Sequence, residues 1–322
     1  MNANMKIAEE TMSVEQNYKK SFSIRFKQDM RQNWTLYMLI IPVLLYYFIF
    51  HYRPMVGAII AFKNYIPKKG IFGSDWVGFK HFISFFQSHY FFRVFKNTVV
   101  INVSTLIFGF PAPIILALLI NEIKRQRFKK TVQTITYLPH FISLVVVAGL
   151  IKDFTADYGI INDLIAFFGG ERQALLNSPS LFVPIYVLSD IWQGVGWGSI
   201  IYLAALAAID QELYEAAEID GAGRWRQTLA ITLPSILPTI VILLILRMGS
   251  IFNVGYEKII LLYNPLIYET ADVISSFVYR RGLLEANYSF STAVGLFNSV
   301  LNFSMLLIAN SISRKVNETS LW

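Results

Sequence analysis

The most informative residues of the sequence form a short polar segment between two apolar runs. Residues 211–220 are mostly good helix formers and include several carboxylates, so they favour a short polar helix. Gly221 and Gly223 then permit a sharp change of direction, because glycine accepts a positive φ without steric cost. A second helix is expected to begin near Arg224. Two short helices at an angle make a compact knob, and the small residues of this knob let it sit closely in a groove of another protein.

Polar and ionisable side chains also occur inside or beside the apolar runs, where they are costly and usually face a cavity or a partner. Asp190 and Arg247 lie about 14 Å and about 10 Å below the outer face, at about 1.5 Å per helical residue. These similar depths predict a contact between the two side chains. Asn298 and Asn302 share one face of a later helix by their spacing.

This polar band has two interpretations. In one, the band lines a path for a polar solute, and Arg247 is the residue most directly involved. In the other, the same side chains bond across a helical bundle without touching a solute. The candidate path residues are Asp190, Trp192, Arg247, Asn253, Tyr256, Asn298 and Asn302.

The sequence lacks the residues that several kinds of chemistry require. No Gly-Lys dipeptide occurs, so the chain has no Walker A loop to cradle phosphates. The four histidines are scattered and form no His-Glu-x-x-His pair, which argues against an intramembrane metalloprotease. With no cysteine, neither a disulfide framework nor a thiolate metal site is available. We therefore expect no catalytic residue, metal or cofactor in this chain.

The elements that must position these residues are membrane spans. The chain has 322 residues, of which 55% are hydrophobic and 15% charged, whereas soluble domains are about 45–50% apolar and about 25% charged. The mean hydropathy is +0.48. The net charge of +7 comes mostly from basic residues beside the apolar runs, as at membrane edges. The apolar stretches that predict spans are 35–51, 97–120, 133–151, 181–208, 234–252 and 290–312.

Orientation follows from the distribution of Lys and Arg, which favour the cytoplasmic side. The 121–131 connection carries five of them and is predicted to be cytoplasmic, whereas the acidic 152–180 loop is predicted to be external. The 52–96 loop must then be external although it is basic. The expected domains are a cytoplasmic tail 1–34, a transmembrane domain 35–316 with external loop 52–96 and cytoplasmic coupling loop 209–233, and a C-terminal tail 317–322.

The polar knob resembles the EAA signature of ABC importer permeases. Glu-Ala-Ala at 215–217 is followed three residues on by Asp-Gly-Ala at 220–222, and then by Ile-Thr-Leu-Pro at 231–234. Thr228 stands where the family usually has phenylalanine, and nearby Trp225 is a candidate replacement. By this resemblance the knob docks into a separate ATPase subunit. The residues implied in that coupling are Glu215, Ala216, Ala217, Asp220, Gly221, Ala222 and Arg224.

A second resemblance concerns the solute. Ala-Phe-Lys-Asn-Tyr at 61–65 and Trp-Val-Gly at 76–78 are similar to segments of oligosaccharide importer permeases, including those for aldouronates and rhamnogalacturonan fragments. The resemblance extends along most of the chain from about residue 35. It implies a carbohydrate substrate, an oligosaccharide, and leaves open whether that sugar is neutral or acidic, a uronate-containing one being among the alternatives. Aromatic rings of the polar band would then stack on sugar rings, and Asn or Arg would bond hydroxyls or carboxylates.

The resemblance also implies the assembly. The fold would be all-α, a six-span permease of the type I ABC importer class in the bacterial plasma membrane, with both termini cytoplasmic. The partners would be a second, homologous permease in a heterodimer, two copies of an ATPase that binds ATP-Mg, and an external solute-binding protein. ATP binding would close the ATPase dimer and turn the cavity outward, a two-state equilibrium biased from the cytoplasmic side.

Two other classes of function remain as alternatives. A secondary transporter would need an inverted repeat or a pair of broken helices, and it would leave the coupling motif without a role. An intramembrane enzyme would need a catalytic dyad or a metal cluster. Within the importers, sugar and peptide systems share the coupling motif, so the motif does not separate them.

Overall fold

The computed structural model describes residues 22–253 and 255–317 and is almost entirely helical. The chain divides into two compact units, residues 1–59 and 60–322. Of the predicted N-terminal tail 1–34, residues 22–34 belong to the described part of the chain. Of the predicted C-terminal tail 317–322, residues 318–322 lie outside that part.

The first unit is a helical stretch that is apolar from Trp34 onward. Its helices are α1 (Phe22–Gln32), α2 (Trp34–Tyr47) and α3 (Arg53–Met55), with a π-helical turn at Phe48–Tyr52 between the last two. Asp29 links α1 to the start of α2, because it accepts hydrogen bonds from Asn33 Nδ2 at 2.7 Å and from the Tyr37 hydroxyl at 2.5 Å. The helical run from Trp34 to Phe62 has 29 residues, long enough to cross a membrane.

The second unit holds the remaining helices and one small hairpin. The helices of its first half are α4 (Gly70–Gly73), α5 (Lys80–Phe86), α6 (Phe91–Ser104), α7 (Pro111–Asn121), α8 (Gln126–Tyr137), α9 (Leu144–Thr155) and α10 (Ile160–Phe167). Those of its second half are α11 (Pro179–Ala207), α12 (Gln211–Ile219), α13 (Arg224–Gln227), α14 (Leu233–Met248), α15 (Tyr256–Leu262), α16 (Tyr268–Ala271), α17 (Ile274–Tyr279) and α18 (Tyr288–Asn317). Strands β1 (Lys63–Asn64) and β2 (Asp75–Trp76) pair antiparallel.

Four helical runs of the described chain are long and apolar enough to span a membrane, and two bent pairs raise the number to six if each counts as one span. The four runs are Trp34–Phe62, Phe91–Asn121, Arg224–Met248 and Tyr288–Lys315. The bent pairs correspond to the third and fourth predicted stretches. The expectation of about six spans is therefore met only when the bent pairs are included.

The third predicted stretch, 133–151, is not one straight helix. The helix through α8 ends at Phe141, and the next begins at Leu144 at an angle of 100°. Two local causes are visible. Pro139 has no N–H to donate to a helix, and Ser143 caps the new helix by accepting a bond from Val146 N at 3.4 Å. Gly196 of α11 packs directly against this bend, since a Cβ there would lie 2.0 Å from the Thr136 carbonyl oxygen.

The connection between α14 and α18 folds into the bundle, which the sequence did not predict. Its buried apolar residues join those of α6, α9 and α11 in one core cluster. Polar contacts fix it further: Asn97 Nδ2 donates to the carbonyl oxygens of Glu269 and Asp272, both at 2.9 Å. Ile274 N donates to Thr98 Oγ1 at 2.9 Å. This buried connection brings α15 against α11 and so creates the cavity described next.

Candidate translocation cavity and coupling knob

A cavity of about 420 Å³ lies within the second unit, where α15 meets the spanning helices. Most of the residues that line it are polar or charged, although it is surrounded by apolar helices. Four of the seven predicted path residues line it. The lining residues are Ile101, Asn102, Thr105, Leu144, Tyr186, Asp190, Gln193, Arg247, Asn253, Gly255, Tyr256, Glu257 and Lys258.

Lys258 is the buried charge of this cavity. The residue is 4% exposed, and its Nζ donates to the Tyr186 carbonyl oxygen at 3.3 Å and to Asp190 Oδ1 at 3.4 Å. The ammonium also lies 4.6 Å from the centre of the Tyr186 ring, a cation–π contact. Burial lowers the pKa of Lys258, whereas the charge of Asp190 opposes that shift.

Asp190 therefore pairs with Lys258, and not with Arg247 as the sequence predicted. No ion pair between Asp190 and Arg247 occurs among the described residues, although both line the cavity. The predicted depths of the two residues along their helices are consistent with a shared cavity. Depth alone does not fix the direction in which a side chain projects around the helix axis, and that direction separates the two groups.

The three asparagines of the candidate path form a network. Asn298 Nδ2 and Asn302 Nδ2 both donate to Asn253 Oδ1 at 3.0 Å, and Phe252 N donates to Asn302 Oδ1 at 2.8 Å. Asn253 reaches the cavity, whereas Asn298 and Asn302 are outside its lining. In this structure those two residues hold the end of the fifth span against α18, which is the bonding role that the second interpretation assigned to them.

The two aromatic candidates lie in different places. Tyr256 lines the cavity and stacks on Tyr279, with ring centres 5.9 Å apart. Trp192 instead borders a separate apolar cavity of about 340 Å³ between α9, α10 and α11. The structure thus brings Asp190, Arg247, Asn253 and Tyr256 together and leaves Trp192 apart.

The polar knob has the predicted form. Asp210 caps α12 by accepting a bond from Glu212 N at 3.0 Å. At the other end Gly221 has φ +75°, and Ala222 N donates to the Ala217 carbonyl oxygen at 2.8 Å, while Gly221 N donates to Glu218 O at 3.0 Å. These two bonds are a Schellman motif, in which glycine at the left-handed position ends the helix. The next helix begins at Arg224, as expected.

The knob is tied to the fifth span and presents apolar groups outward. The Tyr214 hydroxyl lies 2.9 Å from Thr232 Oγ1, and α12 leaves α11 at an angle of 71°. Ile219 and Trp225 are 88% and 76% exposed. Glu215, Ala216, Asp220 and Gly221 are exposed, whereas Ala217 and Ala222 are half-buried. Arg224 Nη1 lies 3.8 Å from Glu122 Oε2.

Helices long enough to span a membrane, a polar cavity among them and a projecting helical knob are the features of a polytopic helical membrane protein. Residues 109–318 match the family described as "Binding-protein-dependent transport system inner membrane component". The chain belongs to this family. It is a multi-pass permease subunit of an ABC importer, a transport subunit and not itself an ATPase.

Individual relatives match nearly the whole chain. Protein LplB of Bacillus subtilis (strain 168) is 47% identical over 91% of this chain and 92% of its own length. The polygalacturonan/rhamnogalacturonan transport system permease protein YteP of the same organism is 45% identical, with 95% of each chain covered. In the crystal structure of a bacterial alginate ABC transporter in complex with alginate pentasaccharide-bound periplasmic protein, one chain matches with a TM-score of 0.86 and 46% identity. That match covers 92% of this chain and all of the other.

The comparisons decide between the classes of function that the sequence left open. Broken helices, which a secondary transporter would also need, do occur in the bent pairs, yet the family match identifies an ABC importer component. Sequence reasoning missed Lys258 and Glu257 of the cavity. A signal was present, because two adjacent charges interrupt a mostly apolar and aromatic segment at 251–263.

Proposed function

We propose that this chain forms half of the translocation path for an acidic oligosaccharide that contains uronates. The observation that carries the proposal is the cavity, whose lining holds two cations, Arg247 and Lys258, together with the carboxylates of Asp190 and Glu257 and with neutral polar groups. Uronate rings carry one carboxylate each together with hydroxyls, and cations together with amides suit both. The relatives named for polygalacturonan/rhamnogalacturonan and for alginate transport point to the same chemical class.

The side chains of the cavity divide this work in the proposal. Arg247 is exposed within the second unit, so its guanidinium is free to form two parallel bonds to a carboxylate. Asn253 and Asn102 supply amide groups for hydroxyls, and the ring of Tyr256 supplies an apolar face for a sugar ring. Trp192 contributes to the path only if the conformation changes, because it borders a different cavity here.

We assign the 214–234 segment to coupling with a separate ATPase. The exposed side chains of Ile219 and Trp225 offer apolar area for a groove, and the small residues beside them permit close approach. Glu215 adds an exposed charge at the same surface. ATP-Mg would bind to the ATPase, which fits a sequence without a Walker A loop.

The assembly that this function needs has four kinds of subunit. A second, homologous permease would close the path, and two copies of the ATPase would hold one knob each. A solute-binding protein outside the membrane would deliver the oligosaccharide. In this arrangement both termini and the 209–233 loop face the cytoplasm, in a bacterial plasma membrane.

The test of coupling is Glu215→Arg in the purified assembly. We expect the ATPase subunit to co-purify less and substrate-stimulated hydrolysis to be lost, because the substitution reverses a charge on the docking surface. Glu171→Arg makes the same change in the 152–180 loop and should leave co-purification intact. Normal hydrolysis and transport in Glu215→Arg would remove the coupling role from the knob. Uptake of an oligouronate into proteoliposomes tests the substrate class separately.

A further inference from the structure

Lys258 is charged and buried, and its hydrogen bonds are long. A buried charge requires a close partner and further hydrogen bonds to offset its loss of hydration. Here the ammonium has three N–H groups, whereas its two hydrogen bonds within the described chain are 3.3 Å and 3.4 Å long. Charge-assisted N–H···O bonds are usually about 2.7–2.9 Å. The group therefore has unused capacity to bind an anion.

The position of Lys258 in the cavity wall makes its ammonium accessible to an anion. Lys258 lines the cavity, and its partner Asp190 has a side chain that is 41% exposed toward open space. A carboxylate that enters the cavity can meet the ammonium from the same side as Asp190. We infer that Lys258 is a carboxylate-binding residue of the cavity, and that a substrate carboxylate replaces Asp190 as its partner. This inference rests on the proposed function, whose acidic substrate supplies that carboxylate.

Asp190 then acts as a built-in competitor. Without substrate, its carboxylate balances the charge of Lys258, so the cavity holds an ion pair and no uncompensated cation. With substrate it competes for the same ammonium and keeps the oligosaccharide from binding too tightly. Transport requires this balance, because a site along a path must bind well enough to admit the solute and weakly enough to release it.

A purely structural pair would look different. The carboxylate of such a pair would be buried with the lysine and bonded at shorter distance, as Asp272 is with Arg280 at 2.7 Å with no exposure of the aspartate. Asp190 is instead open to the cavity. Arg247 and Glu257 line the same space, so the formal charges there balance at two positive and two negative groups. Exchange of one carboxylate for another preserves the environment of Lys258.

The experiment measures binding to the purified permease–ATPase assembly without the binding protein. The probe is a tri-uronate, compared with the same trisaccharide methyl-esterified at its carboxyls, and the readout is the shift in melting temperature with ligand concentration. For Lys258→Met we expect affinity for the tri-uronate to fall about tenfold or more, as for loss of one charge-assisted bond. Lys258→Arg should retain most of the affinity, and Asp190→Asn should bind more tightly and transport more slowly.

Control variants separate folding from binding. Lys68→Met removes an exposed lysine outside the cavity lining and should bind as the wild type does. The double variant Lys258→Met/Asp190→Asn removes both charges of the ion pair, so neither partner is left without the other. It should assemble even if Lys258→Met does not, and it should still bind the tri-uronate weakly.

Unchanged tri-uronate affinity in Lys258→Met and in the double variant would overturn the inference. Equal affinity of the wild type for the tri-uronate and for its methyl ester would also overturn it. Failure of the wild-type assembly to import the oligouronate would instead overturn the proposed substrate class. The two failures are thus distinguishable.

Discussion

Asp272 concentrates more interactions than other carboxylates of the described chain. It has no exposed surface, and its Oδ2 accepts from Arg93 Nη2 at 3.1 Å and Arg280 Nη2 at 2.7 Å. Ser276 Oγ donates to its Oδ1 at 2.9 Å. The carboxylate thus joins α6 to the buried connection that carries α15. If this anchor is lost, the wall that holds Lys258 in the cavity loses support.

The substitution Asp272→Asn keeps the shape and removes the charge. It leaves Arg93 and Arg280 without a counter-charge, and removal of one partner of a buried pair costs about 3–5 kcal/mol. We expect a loss of stability near the lower end of this range, because the side chains of Arg93 and Arg280 are 30% and 21% exposed. Thermal unfolding of the purified protein should show a clear decrease in melting temperature.

The matched control is Asp163→Asn. Its pair with Arg172 has side chains that are 57% and 47% exposed, and exposed pairs contribute about 0–1 kcal/mol. If both variants melt at the same temperature as the wild type, Asp272 does not anchor the connection.

At the scale of elements, the crossing of α11 over the bend at 138–143 depends on one glycine. A Cβ at Gly196 would lie 2.0 Å from the Thr136 carbonyl oxygen and 2.9 Å from Tyr137 N. Both contacts are to backbone, which cannot move aside as a side chain can. The close approach also places His140 against Trp197, with ring centres 4.6 Å apart.

We therefore expect Gly196→Ala to reduce the yield of folded protein strongly, because the two helices must separate. Gly194→Ala is the control on the same helix, since a Cβ there meets nothing within 4 Å. Alanine favours a helix over glycine by up to about 1 kcal/mol, so this control should be neutral or slightly stabilising. Gel filtration of detergent extracts compares the two. Equal amounts of monodisperse protein from both variants would contradict the close crossing.

Some elements were predictable from the sequence and others were not. The difference is whether an element depends on residues next to it in the sequence or on contacts with distant residues. The knob was predictable because its turn depends on local features, the αL position at Gly221 and the cap at Asp210. The bend at 138–143 had a local signal in Pro139 and Ser143, which the apolar run obscured. The partner of Asp190 was not predictable, because it comes from a connection whose packing depends on contacts distant in sequence.

The same limit applies to the candidate path as a whole. Depth along a span follows from the helical rise, and Asp190 and Arg247, which lie at similar depths, line one cavity although they do not form the predicted contact. The direction of each side chain depends on how the helices rotate against one another, which a hydropathy profile does not encode. Trp192 therefore lies on another face, and Asn298 and Asn302 bond to Asn253.

For the whole molecule, the unexplained feature is a basic segment on the side predicted to be external. Several of its charges have partners in the structure. Lys63 Nζ donates to the Phe72 carbonyl oxygen at 3.1 Å, Lys69 lies 3.8 Å from Asp75, and Arg93 of α6 pairs with Asp272 of the connection between α14 and α18. Charges with such partners are less available to the negative inner surface that underlies the positive-inside bias. This pairing is consistent with an external 52–96 loop despite its charge.

The orientation can be tested cleanly because the chain has no cysteine. Single cysteines are placed at three highly exposed apolar positions, Phe72, Phe168 and Ile219, which are 80%, 83% and 88% exposed. A membrane-impermeant maleimide should label Phe72→Cys and Phe168→Cys in intact cells. It should label Ile219→Cys only after the membrane is permeabilised, because four crossings from a cytoplasmic N-terminus place the knob inside. Labelling of Ile219→Cys in intact cells would exclude docking to a cytoplasmic ATPase. Protection of Phe72→Cys with labelling of Phe168→Cys would mean that one of the two intervening spans, Phe91–Asn121 or the bent pair over 126–167, does not cross the membrane as the six-span arrangement requires.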